Sequence, residues 1–254
     1  MRRCICANRN LPTCCQQGVN VRGALYIDGF NLYHAVDDLG KPYLKWCNLW
    51  KLAELSARGH ASEIVRVVFC TAYFKGDHGK RTRHEAFVNA SSNVGVITKL
   101  GHTTTEPMAC KLADCGYRWD QPREKETDIN LSLSLYSDAL DDLFDVAFLL
   151  TADTDQAATI TFFKERFPEK RIINVIPPGR QPSKHLADLS HGRVKLSEKH
   201  FDECVLPQEV RKAGERTIFR PPEYDPPQGW VHPDVRPKIK PPKPPKKWGP
   251  PVKG

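Results

Sequence analysis

The feature that most constrains this chain is an alternation of strand-like and helix-like segments through its middle part. Runs rich in β-branched and aromatic residues predict strands at 24–28, 64–74, 94–100, 146–150 and 171–176. Helical patterns lie between them, at 49–59, 79–92, from 128 onward and at 154–167. Strands alternating with helices predict an α/β fold, a three-layer α/β/α sandwich around a mostly parallel, Rossmann-like sheet.

The helix that begins at 128 has the strongest apolar pattern of the four. We expect it to bury a face on which apolar residues recur at helical spacing. These residues are Ile129, Leu133, Tyr136, Leu140 and Leu143, with Leu131 and Leu135 widening the same face.

The two ends differ in composition from this middle part. Residues 207–254 contain 13 prolines and carry eleven Lys and Arg against five Asp and Glu, while residues 1–20 carry three Arg and no acid. Proline at such density disfavours helix and sheet and favours an extended chain. We therefore predict a disordered N-terminal extension at 1–21, a folded domain at 22–206 and a disordered tail at 207–254. The strand pattern that starts at once after Val21 also raises the hypothesis that translation begins near that residue.

The net charge of +8 comes from these ends, because residues 21–206 are nearly neutral. A basic tail on a neutral domain favours a polyanionic partner, and a proline-rich tail can also bind a partner protein. A purely solubilising tail explains the same composition. The longest purely apolar run, at 146–150, is too short to cross a membrane, and the N-terminus lacks a secretory apolar stretch. We therefore expect no membrane partner and a cytoplasmic location.

Aspartates follow two of the predicted strands. Asp28 ends the first strand, and Asp153 and Asp155 follow the strand at 146–150. Ligand sites in open parallel sheets lie beyond the carboxyl ends of the strands, so we expect these acids at one edge. Asp128, in the first turn of the next helix, can be explained by the helix dipole alone. Together with the other three it favours a shared site.

Such a cluster predicts a metal ion. Two unit charges 4 Å apart interact by about 4 kcal/mol at an effective dielectric of about 20, so crowded carboxylates require a cation or a proton. All-oxygen sites prefer Mg²⁺ or Mn²⁺, which can activate water and neutralise a phosphate. Basic residues near this edge are expected to bind phosphate groups of the substrate. They are Lys75, Lys80, Arg81, Arg83 and Lys99.

Three segments, YIDGFN (26–31), KETDIN (125–130) and TADTD (151–155), resemble in order and spacing the NYN domain, a branch of the PIN-like ribonucleases. The resemblance covers roughly residues 22–205. It implies an α/β/α sheet and a Mg²⁺- or Mn²⁺-dependent ribonuclease site. We expect an endoribonuclease that cleaves single-stranded or loop RNA, because an unpaired backbone can enter a narrow acidic groove. The implied metal ligands are Asp28, Asp128, Asp153 and Asp155, and Asn31 is implied to orient a water or ligand.

One departure from the family is QAAT at 156–159, where NYN domains often have an aromatic residue and a proline. This difference concerns substrate placement more than metal binding. The family also includes members without demonstrated nuclease activity. A non-catalytic RNA-binding or adaptor protein with a vestigial site is therefore the alternative function.

Two other α/β classes fit less well. Haloacid-dehalogenase-like phosphatases need a second acid two residues after the first, where this chain has Phe30. Dinucleotide-binding Rossmann folds need a glycine-rich turn after the first strand, where this chain has the single Gly29.

The nine cysteines suggest one further site. Cys110 and Cys115 could hold a structural zinc ion, with His102 or another cysteine among the remaining ligands. The N-terminal cysteines match no standard zinc spacing; these are Cys4, Cys6, Cys14 and Cys15. The cysteines in apolar stretches are predicted to be buried. They are Cys47, Cys70 and Cys204.

Overall fold

The computed structural model describes residues 20–112 and 114–237. The strands within this part are β1 (Arg22–Asp28), β2 (Glu63–Thr71), β3 (Ile97–Leu100), β4 (His102–Ala109), β5 (Arg118–Lys125), β6 (Val146–Leu150), β7 (Arg171–Ile176), β8 (Gly192–Lys195), β9 (Glu209–Val210) and β10 (Ile218–Phe219). The helices are α1 (Gly29–Asp37), α2 (Leu49–Ala57), α3 (His78–Asn93), α4 (Thr127–Leu140), α5 (Gln156–Arg166), α6 (Lys184–Leu189) and α7 (Glu198–Glu203).

Six strands form one parallel sheet in the order β3-β2-β1-β6-β7-β8. The central strand β1 pairs with β2 on one side and with β6 on the other, so that Ile27 lies between Phe69 and Leu150. The chain proceeds outward from β1 to β3 and then from β6 to β8 in the opposite direction. The strand order therefore reverses between β1 and β6, which is where ligands bind in open α/β sheets.

Helices cover both faces of this sheet and confirm the predicted three-layer α/β/α architecture. Alternating residues of β1 belong to two separate apolar cores. Leu25 and Ile27 pack with residues of α1, α2 and α3, whereas Ala24 and Tyr26 pack with residues of α4, α5 and α6. Burial on both faces explains why the central strands read as continuous apolar runs.

The predicted buried face of α4 is wrong in part. Leu131 and Leu135 are fully buried, but three residues of the predicted face are more than 60% exposed. These are Ile129, Leu133 and Leu140. The helix carries apolar residues on two faces, and only the face with Leu131 and Leu135 packs against the sheet. On that buried face, the hydroxyl of Tyr26 donates a hydrogen bond of 2.8 Å to Asp138 Oδ2.

The region between β3 and α4, for which the sequence pattern predicts no strand, forms an antiparallel hairpin of β4 and β5. Its residues are mostly polar and largely solvent-exposed. A hairpin that buries little lacks the alternation of apolar and polar residues by which half-buried strands are found. The short elements α1, β8, α6 and α7 were likewise not predicted.

The tail does not begin at residue 207 as predicted. Residues 207–237 lie against the domain: the indole of Trp46 donates a hydrogen bond of 2.9 Å to the carbonyl of Pro207, and Tyr224 is only 8% exposed. Prolines in this segment open the single 3₁₀ turns Pro222–Tyr224 and Pro233–Val235. The prolines prevent long helices and strands in this segment. Its packing on the domain comes from aromatic side chains between the prolines, such as Tyr224 and Trp230.

The predicted disorder of residues 1–19 and 238–254 lies outside the described residues, as do Cys4, Cys6, Cys14 and Cys15. Within the described part of the chain, no helix combines the length and the apolar character needed to cross a membrane.

Candidate functional site

Asp28 lies at the carboxyl end of β1 and caps the following helix. Its Oδ1 accepts a hydrogen bond of 3.0 Å from the backbone N–H of Asn31. Its Oδ2 accepts one of 3.0 Å from the Thr151 hydroxyl and another from the Asn31 side chain. These donors explain how a carboxylate that is only 4% exposed can end a buried strand.

Gly29 is required beside Asp28 because α1 begins in close contact with β2. A Cβ atom at this position would lie 2.6 Å from the carbonyl oxygen of Cys70 and 2.8 Å from Cβ of Thr71. Both distances are below any normal contact with backbone or with a β-carbon. The glycine in YIDGFN therefore allows α1 to start directly at the edge of the sheet.

Asn31 connects Asp28 to the loop after β6. Its amide group donates to Asp28, and its Oδ1 accepts a hydrogen bond of 3.2 Å from the backbone N–H of Ala152. Asn31 thus uses both ends of its side chain within the protein. These contacts position Asp28, and the predicted role of Asn31 in orienting a water or ligand stays a prediction.

The loop after β6 is held by short polar contacts. The Thr151 hydroxyl accepts a hydrogen bond of 3.0 Å from the N–H of Asp153 while donating to Asp28. Buried Asn174 on β7 donates one of 3.2 Å to the carbonyl of Thr151. These contacts place Asp153 next to Asp28, across the point where the strand order reverses.

Asp128 lies at the start of α4, on the same face of the sheet as Asp28. Partial burial raises its pKa to about 6, and the negative charges of Asp28, Asp153 and Glu124 contribute to the same shift. The Gln156 side chain donates a hydrogen bond of 3.4 Å to its Oδ1. Burial also raises the pKa of Asp28. The hydrogen bonds from Asn31 and Thr151 lower this pKa in part, and the charge of Asp153 raises it further.

We refer to Asp28, Asp128, Asp153 and Glu124 as the acidic edge. Glu124, Thr151 and Gln156 were not anticipated from the sequence. Glu124 is the penultimate residue of β5 and accepts a hydrogen bond of 2.9 Å from the N–H of Thr127, at the start of α4. Recognising β5 as a strand would have identified Glu124, because a strand ending there leads directly to Asp128.

Cys70 shows the electrostatic character of this edge. It is buried on β2, in register with Asp28 on one side and with Lys99 on the other. Burial and the nearby charge of Asp28 raise the pKa of the Cys70 thiol to about 12, while Lys99 acts in the opposite direction. Lys99 is thus a cation close to the acids, and it lies on the edge strand β3.

Asp155 does not join the acidic edge in the same way. It is exposed, and its backbone N–H donates a hydrogen bond of 2.9 Å to Asp153 Oδ1. Asp155 therefore supports Asp153 through its main chain.

The acidic edge suits a hard divalent cation in its chemistry, because all its side-chain donors are oxygens. Its net negative charge is also not balanced by the polar groups that hold it in place. Through residues 20–112 and 114–237, however, no three His, Cys, Asp or Glu side chains converge on a position that a metal ion could occupy. Water or phosphate oxygens would have to complete the coordination, as they commonly do for Mg²⁺.

Four of the five predicted RNA-binding residues follow β2 along the chain, whereas Lys99 lies on β3. Lys75 lies in the loop between β2 and α3, and Lys80, Arg81 and Arg83 lie in the first turns of α3. Arg81 pairs with Glu85 at 2.8 Å, and Arg83 pairs with Glu223 of the C-terminal segment at 2.9 Å. Arg83 thus helps to hold residues 207–237 on the domain.

The zinc hypothesis finds no support from His102. Cys110 and Cys115 adjoin the turn at the tip of the hairpin, and a hydrogen bond from Cys115 helps to lower the pKa of Cys110 after the larger effect of the Leu112 backbone. His102 lies at the opposite end of β4, opposite Lys125, about 25 Å along the strand by the usual rise per residue. Cys47, Cys70 and Cys204 are buried, as predicted.

No protein-family model matches this chain, and no curated protein matches it. A crystal structure of a protein of unknown function from Vibrio parahaemolyticus is similar to it, with 18% sequence identity and a TM-score of 0.46. The similarity covers 72% of this chain and 97% of the other. Nothing about the site of this chain follows from that similarity.

Proposed function

We propose that this protein is a Mg²⁺- or Mn²⁺-dependent ribonuclease of the NYN type, acting on single-stranded or loop RNA in the cytoplasm. The observation that supports this most directly is the proximity of Asp28 and Asp153 to Asp128 where the strand order reverses, which is close enough for their charges to add to its raised pKa. Acids that serve only the fold are normally paired with cations or hydrogen-bond donors. Here burial raises the pKa values of Asp28 and Asp128, and the charges of neighbouring carboxylates add to both shifts.

Carboxylates of Asp28, Asp128 and Asp153 would each contribute to binding the metal ion, directly or through a bound water, and water or phosphate oxygens would complete its coordination. A bound divalent ion supplies an activated water and neutralises charge on the phosphodiester. Asn31 and Thr151 keep the Asp28 carboxylate in one orientation, and Gln156 does the same for Asp128. Lys99 is placed to attract a phosphate towards the acids.

The test is cleavage of a labelled single-stranded RNA with Mn²⁺ by the purified parent protein and by Asp153→Asn. Asp153 is preferable to Asp28, because Asp28 also caps α1. We expect the rate to fall by about 10²–10³-fold, the size of effect seen when a transition-state contact is lost. Asp188→Asn, an exposed acid on α6, is the matched control and should cleave normally. Equal cleavage by parent and Asp153→Asn would contradict the proposal.

A non-catalytic RNA-binding protein is the second candidate. It is favoured by one observation: both oxygens of Asp28 already accept hydrogen bonds from within the protein. RNA binding in EDTA, without cleavage in Mg²⁺ or Mn²⁺ by a folded preparation, would establish this alternative.

A further inference from the structure

A cavity of about 440 Å³ lies between α1, α3 and the C-terminal segment. We refer to it as the α1–α3 cavity. Phe30 and Tyr33 of α1 line it, although the intervening Asn31 turns towards Asp28 and Ala152. Gly29, which directly follows Asp28, also contributes to its wall. The cavity and the acidic edge are therefore adjacent along the first turn of one helix, and a cavity of this volume can hold a small organic ligand.

The interior of the cavity is apolar, with a single polar pair. Leu32, Leu44 and Phe69 are buried residues of the wall. The polar pair is Thr71 and His84, whose Oγ1 and Nε2 atoms are 3.1 Å apart. Burial lowers the pKa of His84 to about 4, so this ring is neutral at pH 7. A neutral imidazole and a hydroxyl can orient a ligand that both donates and accepts hydrogen bonds.

The mouth of the cavity combines aromatic rings with cations. Tyr33 and Phe74 line the cavity and are each more than a third exposed. The Lys45 ammonium lies 4.7 Å from the centre of the Tyr33 ring, and the Lys80 ammonium lies 5.8 Å from that of Phe74. Lys45 is also paired with Asp37, so Lys80 is the better placed of the two to meet an anion.

We propose that the α1–α3 cavity binds one unpaired nucleobase of the RNA, with the neighbouring phosphate at Lys80. This inference rests on the proposed function and adds a specificity site to it. Aromatic side chains stack on bases irrespective of sequence, and the Thr71–His84 pair can select among base edges. An aliphatic anion would leave the hydrogen-bonding capacity of that pair unused.

The C-terminal segment forms part of this binding site. Glu223 and Tyr224 line the cavity, Tyr224 is buried, and Glu223 is held by Arg83. Residues 222–224 thus act as a wall of the cavity. The ion pair between Arg83 and Glu223 helps to hold this wall against the domain.

The experiment measures binding to the full chain in EDTA by calorimetry, so that cleavage plays no part. The probes are adenosine 5′-monophosphate, uridine 5′-monophosphate, ribose 5-phosphate and decanoate. We expect at least one nucleotide to bind, with ribose 5-phosphate and decanoate binding about tenfold or more weakly, as the loss of base stacking requires. Equal binding of ribose 5-phosphate, or preferred binding of decanoate, would overturn the proposal.

Variants locate the binding site. Ala72→Leu extends a side chain into the cavity and should abolish nucleotide binding without lowering the thermal midpoint. Phe74→Ala removes a partly exposed ring and should weaken binding about tenfold. Phe162→Ala, an exposed phenylalanine on α5, is its matched control and should have no effect. If Ala72→Leu fails to fold, Phe74→Ala decides: unchanged binding by that variant would overturn the proposal.

The outcome is independent of catalysis. Nucleotide binding that Phe74→Ala weakens, in a protein that cleaves no RNA, would support the cavity site and contradict the ribonuclease. Cleavage that depends on Asp153, in a protein whose cavity binds no nucleotide, would support the ribonuclease and contradict the cavity site.

Discussion

Asp202 on α7 and the carboxylates of the acidic edge differ in the charges that surround them. Asp202 accepts hydrogen bonds of 2.7 Å from the Trp230 indole and 3.1 Å from the Tyr43 hydroxyl, and it pairs with Arg236 at 2.6 Å. Burial opposes its ionisation, but the hydrogen bonds from Arg236, Trp230 and Tyr43 outweigh this, and its pKa is lowered. Its charge is fully compensated.

The acidic edge is not compensated in this way. Its donors are neutral amides and hydroxyls, and the other charges nearby are mostly negative. The comparison indicates that Asp202 serves stability, since it fastens residues 230–236 to the domain. The acidic edge instead retains an electrostatic cost within the fold, which is typical of a site built for a ligand. The two kinds of acid should therefore respond in opposite directions when their charge is removed.

The largest effect on stability is expected at Asp202. Asp202→Ala should lower the free energy of unfolding by about 2–3 kcal/mol, because three partners lose a charged acceptor. Denaturant unfolding measures this directly, and limited proteolysis after residue 206 should become faster. Asp38→Ala is the matched control: the side chains of Asp38 and its partner Arg180 are both exposed, so the loss of this ion pair should cost about 0.5 kcal/mol. Equal decreases in the free energy of unfolding of the two variants would contradict this role of Asp202 in holding residues 230–236 on the domain.

A somewhat smaller effect is expected from pH, because a protonated Asp202 keeps part of its hydrogen bonding. The pKa of Asp202 is lowered in the folded protein. Its stabilising contribution is thus fully present above the ordinary aspartate value of about 4 and is lost as the pH falls further. The measurement is the difference in stability between parent and Asp202→Asn at each pH, since other acids cancel in that difference. A difference that stays constant from pH 7 to pH 3 would be inconsistent with this assignment.

The sequence anticipates these regions to different extents. The fully buried strands β1, β6 and β7 are recognisable because their apolar runs reflect burial on both faces, and the acids that follow β1 and β6 are then placed by the rule on strand ends. The exposed hairpin, the buried face of α4 and the position of residues 207–237 depend on tertiary contacts. The contacts of Asp202 belong to this second group, because Trp230 and Arg236 lie in a segment whose composition suggests disorder.

The same limit applies within the candidate site. Asp28, Asp128 and Asp153 could be proposed from their positions along the chain. Glu124 and Gln156 could not, because their contacts with Thr127 and Asp128 depend on the register of β5 and on how α5 packs beside α4. The positions of the Lys45 and Lys80 ammonium groups beside Tyr33 and Phe74 also could not be predicted, because they depend on side-chain directions that the order of strands and helices does not determine.

The smallest effect, and the one of opposite sign, is expected at Asp128. A pKa of about 6 against an ordinary value of 3.8 corresponds to about 3 kcal/mol at neutral pH in a closed site, and exposure to solvent reduces this to about 1 kcal/mol. Asp128→Asn should therefore raise the free energy of unfolding by about 1 kcal/mol in EDTA, since it removes repulsion and keeps an acceptor for Gln156. Millimolar Mn²⁺ should raise the thermal midpoint of the parent and have less effect on the variant, because only a folded site binds the ion.

Asp155→Asn is the control for this last measurement, because Asp155 is exposed and contacts Asp153 through its main chain. It should change neither the stability in EDTA nor the response to Mn²⁺. If Asp128→Asn were instead less stable than the parent, Asp128 would be a helix-stabilising acid comparable to Asp202. The contrast between the two regions would then fail. If the variant is stabilised but Mn²⁺ leaves the parent unchanged, the repulsion at the acidic edge is real and its ligand is not this metal.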